Sequence, residues 1–106
     1  MMKFDSSQLV ENAQHVASIL KQLANVNRLM ILCAISADEL SVSEINERVD
    51  LSQSALSQHL AKLREASLVN TRRDSQTIYY SLSDPKLINV MNVLYENYCQ
   101  QNVESK

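Results

Sequence analysis

The 106-residue chain is 45% hydrophobic, carries a net charge of −2, and has two cysteines and no glycine. That apolar share excludes a disordered chain, and no apolar run approaches the ~18 residues of a membrane span. Without glycine there is no Walker loop or Rossmann turn, and few turns can demand positive φ, so residues 1–106 read as one mostly helical domain.

The opening MMKFDSSQ has no charged segment followed by an apolar stretch, so a secreted protein is not expected. Two cysteines without an export signal read as a cytoplasmic thiol pair and not as a disulfide framework. The first helix is expected to start at Ser6 or Ser7. Leu9, Ala13, Val16, Leu20 and Leu23 recur in it at helical spacing, flanked by Val10, Ala17 and Ala24. Asn25 is placed to cap a second helix, whose run LMILCAI (Leu29 to Ile35) is apolar all round and therefore expected to be buried.

Ser41-Val42-Ser43-Glu44 has the Ser-x-x-Glu form of a capping box and opens a short third helix to about Arg48. Val49-Asp50-Leu51 turns, and Ser52 caps a fourth helix to about Arg64. The period then changes. Leu68 to Arg72 and Thr77 to Leu82 are β-rich runs around a turn at Arg73-Asp74-Ser75-Gln76, with Ile78, Tyr80 and Leu82 facing inward and Tyr79 outward. Ser83 or Asp84 before Pro85 starts a last helix with apolar Leu87, Ile88, Met91, Leu94, Tyr95, Tyr98 and Cys99. The expected fold is mainly α with a β-hairpin wing, in the order α-α-α-α-β-β-α: a winged helix-turn-helix.

In the fourth helix Leu56, Leu60 and Leu63 lie at i, i+4 and i+7 and anchor one face to the core. The other side shows Gln53, Ser54, Ser57, Gln58 and Ala61, with His59 and Lys62 at its edge. Gln can pair with adenine in bidentate fashion, Ser can donate or accept, and small side chains admit the helix deep into a major groove. Taken alone, the same face fits a helix that meets only water. The helix-turn-helix spacing and the wing tip the reading toward double-stranded DNA.

The charge distribution agrees with a local footprint. Residues 51–82 hold four basic and two acidic side chains, whereas residues 1–50 hold four and seven. Lys62, Arg64, Arg72 and Arg73 are therefore the expected phosphate contacts, with the wing near a minor groove. A winged helix that binds protein instead of DNA is the alternative. A thiol enzyme lacks both an orienting base and an oxyanion loop, so the chain is not expected to be an enzyme.

LSQSALSQHLAKLREASLV, the wing ending in IYYSL and the earlier NRLMIL together resemble the ArsR family of bacterial winged-helix repressors, over nearly the whole chain. The resemblance implies a homodimer formed by the first and last helices that reads two half-sites of an inverted repeat. Ser67 departs from the pattern, since relatives place glycine after REA. A left-handed conformation there would cost serine ~1 kcal/mol.

Metal-sensing relatives carry Cys-x-Cys where this chain has Ser41-Val42-Ser43, and hydroxyls do not replace thiolates for soft metals. Zinc-sensor ligands on the last helix correspond to Asp84, Lys86, Asn97 and Gln100, of which only the aspartate is a ligand type, so no metal is expected. The resemblance instead extends to the dithiol subgroup, the HlyU- and BigR-like regulators. It implies persulfide or redox sensing at Cys33, within ILC, and Cys99, within NYC. Read from the residues alone, Cys33 is a small hydrophobe among Leu29, Met30, Ile31 and Leu32, and Cys99 sits near a helix C-terminus that disfavours thiolate.

Overall fold

Residues 6–99 are described by the computed structural model, apart from the side chains of Ser6, Ser7, Leu9 and Cys99. The first helix, α1, runs over Ser6–Leu23 from the expected start. Its apolar stripe is not a core face: Leu23 is buried, but Val10, Val16 and Leu20 are exposed, and the Leu9 side chain lies outside the described residues. α2 follows over Val26–Ala37, capped by Asn25, whose Oδ1 accepts from the Arg28 N–H at 3.0 Å. Burial all round α2 does not hold. Ile31, Leu32 and Ile35 are buried, Cys33 is half-buried, and Val26 and Met30 are exposed on a stripe that the elements packed around the helix leave uncovered.

A short strand that periodicity did not reveal, β1 (Leu40–Ser41), precedes α3 (Val42–Arg48). Ser41 serves both elements. Its Oγ accepts from the Glu44 N–H at 3.2 Å while Glu44 Oε1 accepts from the Ser41 N–H at 2.8 Å, which is the capping box read from the sequence. Two residues are too few to show strand alternation, so the cap was the only local signal.

α4 (Gln53–Glu65) is capped by Ser52, whose Oγ accepts from the Ala55 N–H. Its C-terminus is a Schellman arrangement: the Ser67 N–H donates to the Arg64 carbonyl and the Leu68 N–H to the Leu63 carbonyl. This places Ser67 at φ 62°, the left-handed conformation in which serine carries strain, while Leu63 and Leu68 are buried beside the turn. β2 (Val69–Asp74) and β3 (Thr77–Leu82) pair from Val69↔Leu82 to Asp74↔Thr77. The turn is tighter than the four residues expected. Only Ser75 and Gln76 lie outside the ladder, and φ of 59° at Ser75 alone is the pattern of a type II′ hairpin, whose twist suits the strands. β1 adds to the far side of β3, giving a three-stranded antiparallel sheet in the order β1-β3-β2.

α5 (Pro85–Leu94) starts with Pro85 at its first turn and Asp84 as the cap. The helix then widens into a π-helical turn at Tyr95–Cys99. Asn97 accounts for the change: its Nδ2 donates to the Val93 carbonyl at 2.7 Å, the acceptor that an α-helix would give to the Asn97 N–H. The wider turn shifts the phase of the residues beyond Leu94, so Tyr98 is 82% exposed and not on the buried face with Leu87 and Met91.

The core is one cluster in which Leu56, Leu60 and Leu63 of α4 meet residues of α2, α3, α5 and the sheet. Replacing Ser67 by glycine should relieve about 1 kcal/mol of left-handed strain. At fixed protein concentration this should appear as a thermal midpoint raised by about 4–8 °C. An unchanged or lowered midpoint would show that the turn carries no such strain.

Candidate nucleic-acid interface

α3 and α4 are held at their mutual angle by Asn46, whose Nδ2 donates to the Leu51 carbonyl at 2.8 Å and more weakly to the Val49 carbonyl at 3.4 Å. The turn between the helices has no glycine, so a side chain supplies the donor that closes it. Sequence reasoning passed over Asn46. An Asn within a helix and five residues before the carbonyl it binds gives no periodic signal.

Because Leu56, Leu60 and Leu63 are 0%, 2% and 0% exposed, the rotation of α4 about its own axis is set by the core. Gln53, Ser54, Ser57, Gln58, Ala61 and Lys62 are thereby turned to solvent. Among the described residues, the side chains of Ser54, Ser57 and Gln58 make no intramolecular hydrogen bond, so their donors and acceptors remain for a partner. Arg64 in the last turn and Arg73 on β2 are also exposed. The sequence-predicted residues thus fall into an exposed polar row on α4 and a cationic fringe at its C-terminal end and on the wing.

Two of them are placed differently. His59 is half-buried, and its Nδ1, like Gln22 Oε1, is shielded from solvent without a hydrogen-bond partner among the described residues. Burial first, then the positive charges of Arg28 and Lys62, hold the imidazole below its ordinary value of 6.5. Arg28 itself ties α1 to α2, its Nε donating to the Gln22 carbonyl at 2.9 Å. Arg72 is engaged by Glu39 through a bidentate ion pair with a shortest contact of 2.8 Å, and its guanidinium lies 4.6 Å from the Tyr79 ring centroid. The Arg72 hydrogen bond and charge hold the Glu39 carboxyl below its ordinary 4.5, so the pair persists at neutral pH and breaks only in acid. Thirty-three positions separate these two residues, which is why no local pattern announced them.

Two helices joined by a pinned turn, the second with an exposed polar row, followed by a hairpin, define a winged helix-turn-helix DNA-binding protein. Comparison with known proteins narrows the class. Residues 25–71 match the bacterial regulatory protein arsR family. The transcriptional activator HlyU of Vibrio cholerae is 46% identical over 95 residues, which are 90% of this chain and 88% of that protein. The structure of reduced HlyU from Vibrio cholerae superposes with a TM-score of 0.83, over 88% of this chain and 98% of that one. The transcriptional repressor BigR from Xylella fastidiosa gives 0.82 at 36% identity, over 92% and 100%. The chain belongs to the arsR family. It is a transcriptional regulator of the type of these relatives and not an enzyme. No helix among the described residues is long and apolar enough to cross a membrane.

Two expected outcomes follow from the geometry. Asn46→Ala should cost about 1 kcal/mol in urea denaturation, the worth of its hydrogen bonds, and weaken DNA binding by loosening α3 against α4. If affinity is unchanged, the turn does not need that amide. The depressed His59 value means that the unfolded chain binds a proton more readily than the folded one. Stability contributed by the neutral imidazole is therefore complete above 6.5 and lost as the pH falls below it. The urea midpoint should drop as the pH falls from about 7 through 6.5 and below, and His59→Gln should flatten the drop. An identical profile in the variant would remove His59 as its cause.

Proposed function

We propose that the chain is a repressor that binds an inverted-repeat operator as a homodimer and is released by persulfide, polysulfide or oxidant chemistry at Cys33 and Cys99. The observation that carries the DNA-reading part is the exposed, uncommitted row Ser54, Ser57 and Gln58, with Gln53 at its start, on a helix whose opposite face is buried. Those side chains read base edges, and Lys62, Arg64 and Arg73 hold phosphates. A protein seated on an operator excludes others from it, which favours repression.

Dimerisation is supported by apolar side chains left in solvent on α1 and α5: Val10, Val16, Leu20, Val90 and Val93. The radius of gyration, 15.6 Å, also exceeds the ~13 Å of a compact single chain of this length. Two copies then present two α4 helices to successive major grooves.

The switch is supported by the packing of α2, which carries half-buried Cys33, against α5, which runs on into the turn ending at Cys99. It is supported also by the existence of a redox-defined state, the reduced form, in the similar HlyU. In its simplest form one thiolate attacks a sulfur–sulfur bond of a polysulfide, keeps one sulfur as a persulfide and releases the shortened chain. The second thiolate attacks the first cysteine's own sulfur, forming the disulfide and expelling hydrosulfide. The bridge pulls α5 against α2 and alters the spacing of the reading helices. The protein stays in the cytoplasm, and binding needs no metal.

The test is fluorescence anisotropy on DNA from upstream of its own gene, with the protein reduced and then treated with polysulfide. The reduced protein should bind in a steeply salt-dependent way, and treatment should weaken it about tenfold, or ~1.4 kcal/mol. Cys33→Ser and Cys99→Ser should bind normally and lose the response. Gln58→Ala should cost about 1–3 kcal/mol on this DNA and little on a mixed sequence. Binding that ignores polysulfide makes the cysteines core residues and the inducer a different molecule. Absence of DNA binding leaves the protein-interaction reading.

A further inference from the structure

Arg72 is the one expected phosphate ligand that already has an anion. Its Nε donates to Glu39 Oε1 and Oε2 at 3.1 and 3.0 Å, and its Nη2 donates to Oε1 at 2.8 Å. Arg72 stands opposite Tyr79 across the hairpin, and Tyr79 stands opposite Ser41 on its other side. Residues opposite one another share a sheet face, and Glu39, just before β1, reaches Arg72 with its carboxylate. Glu39, Tyr79 and Arg72 therefore form a row over the outside of the sheet, with the guanidinium stacked on the ring and clamped by the carboxylate.

A carboxylate that accepts two parallel N–H bonds from a guanidinium offers what a backbone phosphate offers: two oxygens, a negative charge and matching spacing. This clamp is open to water, with the Arg72 and Glu39 side chains 52% and 35% exposed. An exposed ion pair is weak enough to exchange. The side chain of the neighbouring Arg73 makes no hydrogen bond or ion pair among the described residues, and the side chains of Lys62 and Arg64 likewise make none. Arg72 thus differs from the other cations of the interface in having to leave a partner before it can meet DNA.

We propose that Glu39 is an intramolecular competitor for Arg72, occupying the guanidinium in place of a DNA phosphate and so setting how strongly the wing grips the duplex. The inference rests on the DNA-binding reading above. An arginine that exchanges one anion for another adds little net affinity, and its departure leaves a carboxylate facing a polyanion. Glu39 thereby holds down the sequence-independent grip of the wing. Discrimination is left to the base-edge contacts of α4.

The test is fluorescence anisotropy over a salt series with wild type, Glu39→Gln, Arg72→Gln and the double variant. Each is measured on DNA from upstream of the protein's own gene and on a mixed-sequence duplex. Glu39→Gln keeps the length of the side chain and removes its charge, and thermal melting of all four proteins establishes that each is folded. Glu39→Gln should tighten binding to both duplexes about two- to fivefold, the size expected when an exposed ion pair no longer has to be broken. It should also steepen the logarithmic salt slope by up to about one. In the Arg72→Gln background the same substitution should do nothing. A gain of equal size with and without Arg72 would mean that Glu39 merely repels DNA, and would overturn the proposal, as would no gain at all. Should wild type itself show no salt-dependent binding to either duplex, it is the DNA-binding reading that falls, and the competitor role with it.

Discussion

The burial of Leu56, Leu60 and Leu63 governs what this molecule can present to a partner. Each is almost completely removed from water, and burying a leucine side chain stabilises by about 1.5–3 kcal/mol. Three such terms are comparable with the whole net stability of a small domain, about 5–15 kcal/mol. Rolling α4 by even one residue would expose them, so the polar row on the other side has a fixed direction without needing contacts of its own. Asn46 sets the remaining angle by closing the turn to α3. Serines and glutamines can thus stay uncommitted on a rigid support.

Electrostatics are arranged locally on a chain that is acidic overall. The exposed cations Lys62, Arg64 and Arg73 sit near the end of α4 and on the wing, while His59, on the same helix, is withdrawn and held neutral by burial and by Arg28 and Lys62. Arg72 is neutralised at close range by Glu39. A count of basic residues therefore overstates the positive field that the interface offers to a polyanion.

The ends of the chain are built on a different principle. α1 and α5 keep apolar residues in solvent, a surface more natural to an assembly than to a monomer. Asn97 diverts the last turn of α5 into π geometry, and Cys99 closes that turn. A single side-chain amide thus decides the backbone path at the end of α5.

Much of this was legible in the sequence because it depends on neighbours within a few positions. Asn25, Ser41 with Glu44, Ser52 and Asp84 cap helices through their own side chains, and leucine spacing alone assigned the buried and exposed faces of α4. Ser67 was singled out as a position whose strain would depend on a left-handed backbone, and the hairpin was placed correctly apart from its tighter turn. What only the tertiary structure decided depends on groups distant in the chain or on packing. β1 exists because β3 offers it an open edge, and Arg72 meets Glu39 because β3 brings the two strands to either side of Tyr79. Val26 and Met30 of α2 lie in solvent because the elements packed around the helix leave that stripe uncovered. Local side-chain chemistry selects each element and its buried face, whereas charge pairing and exposure are set by which elements the folded core brings side by side.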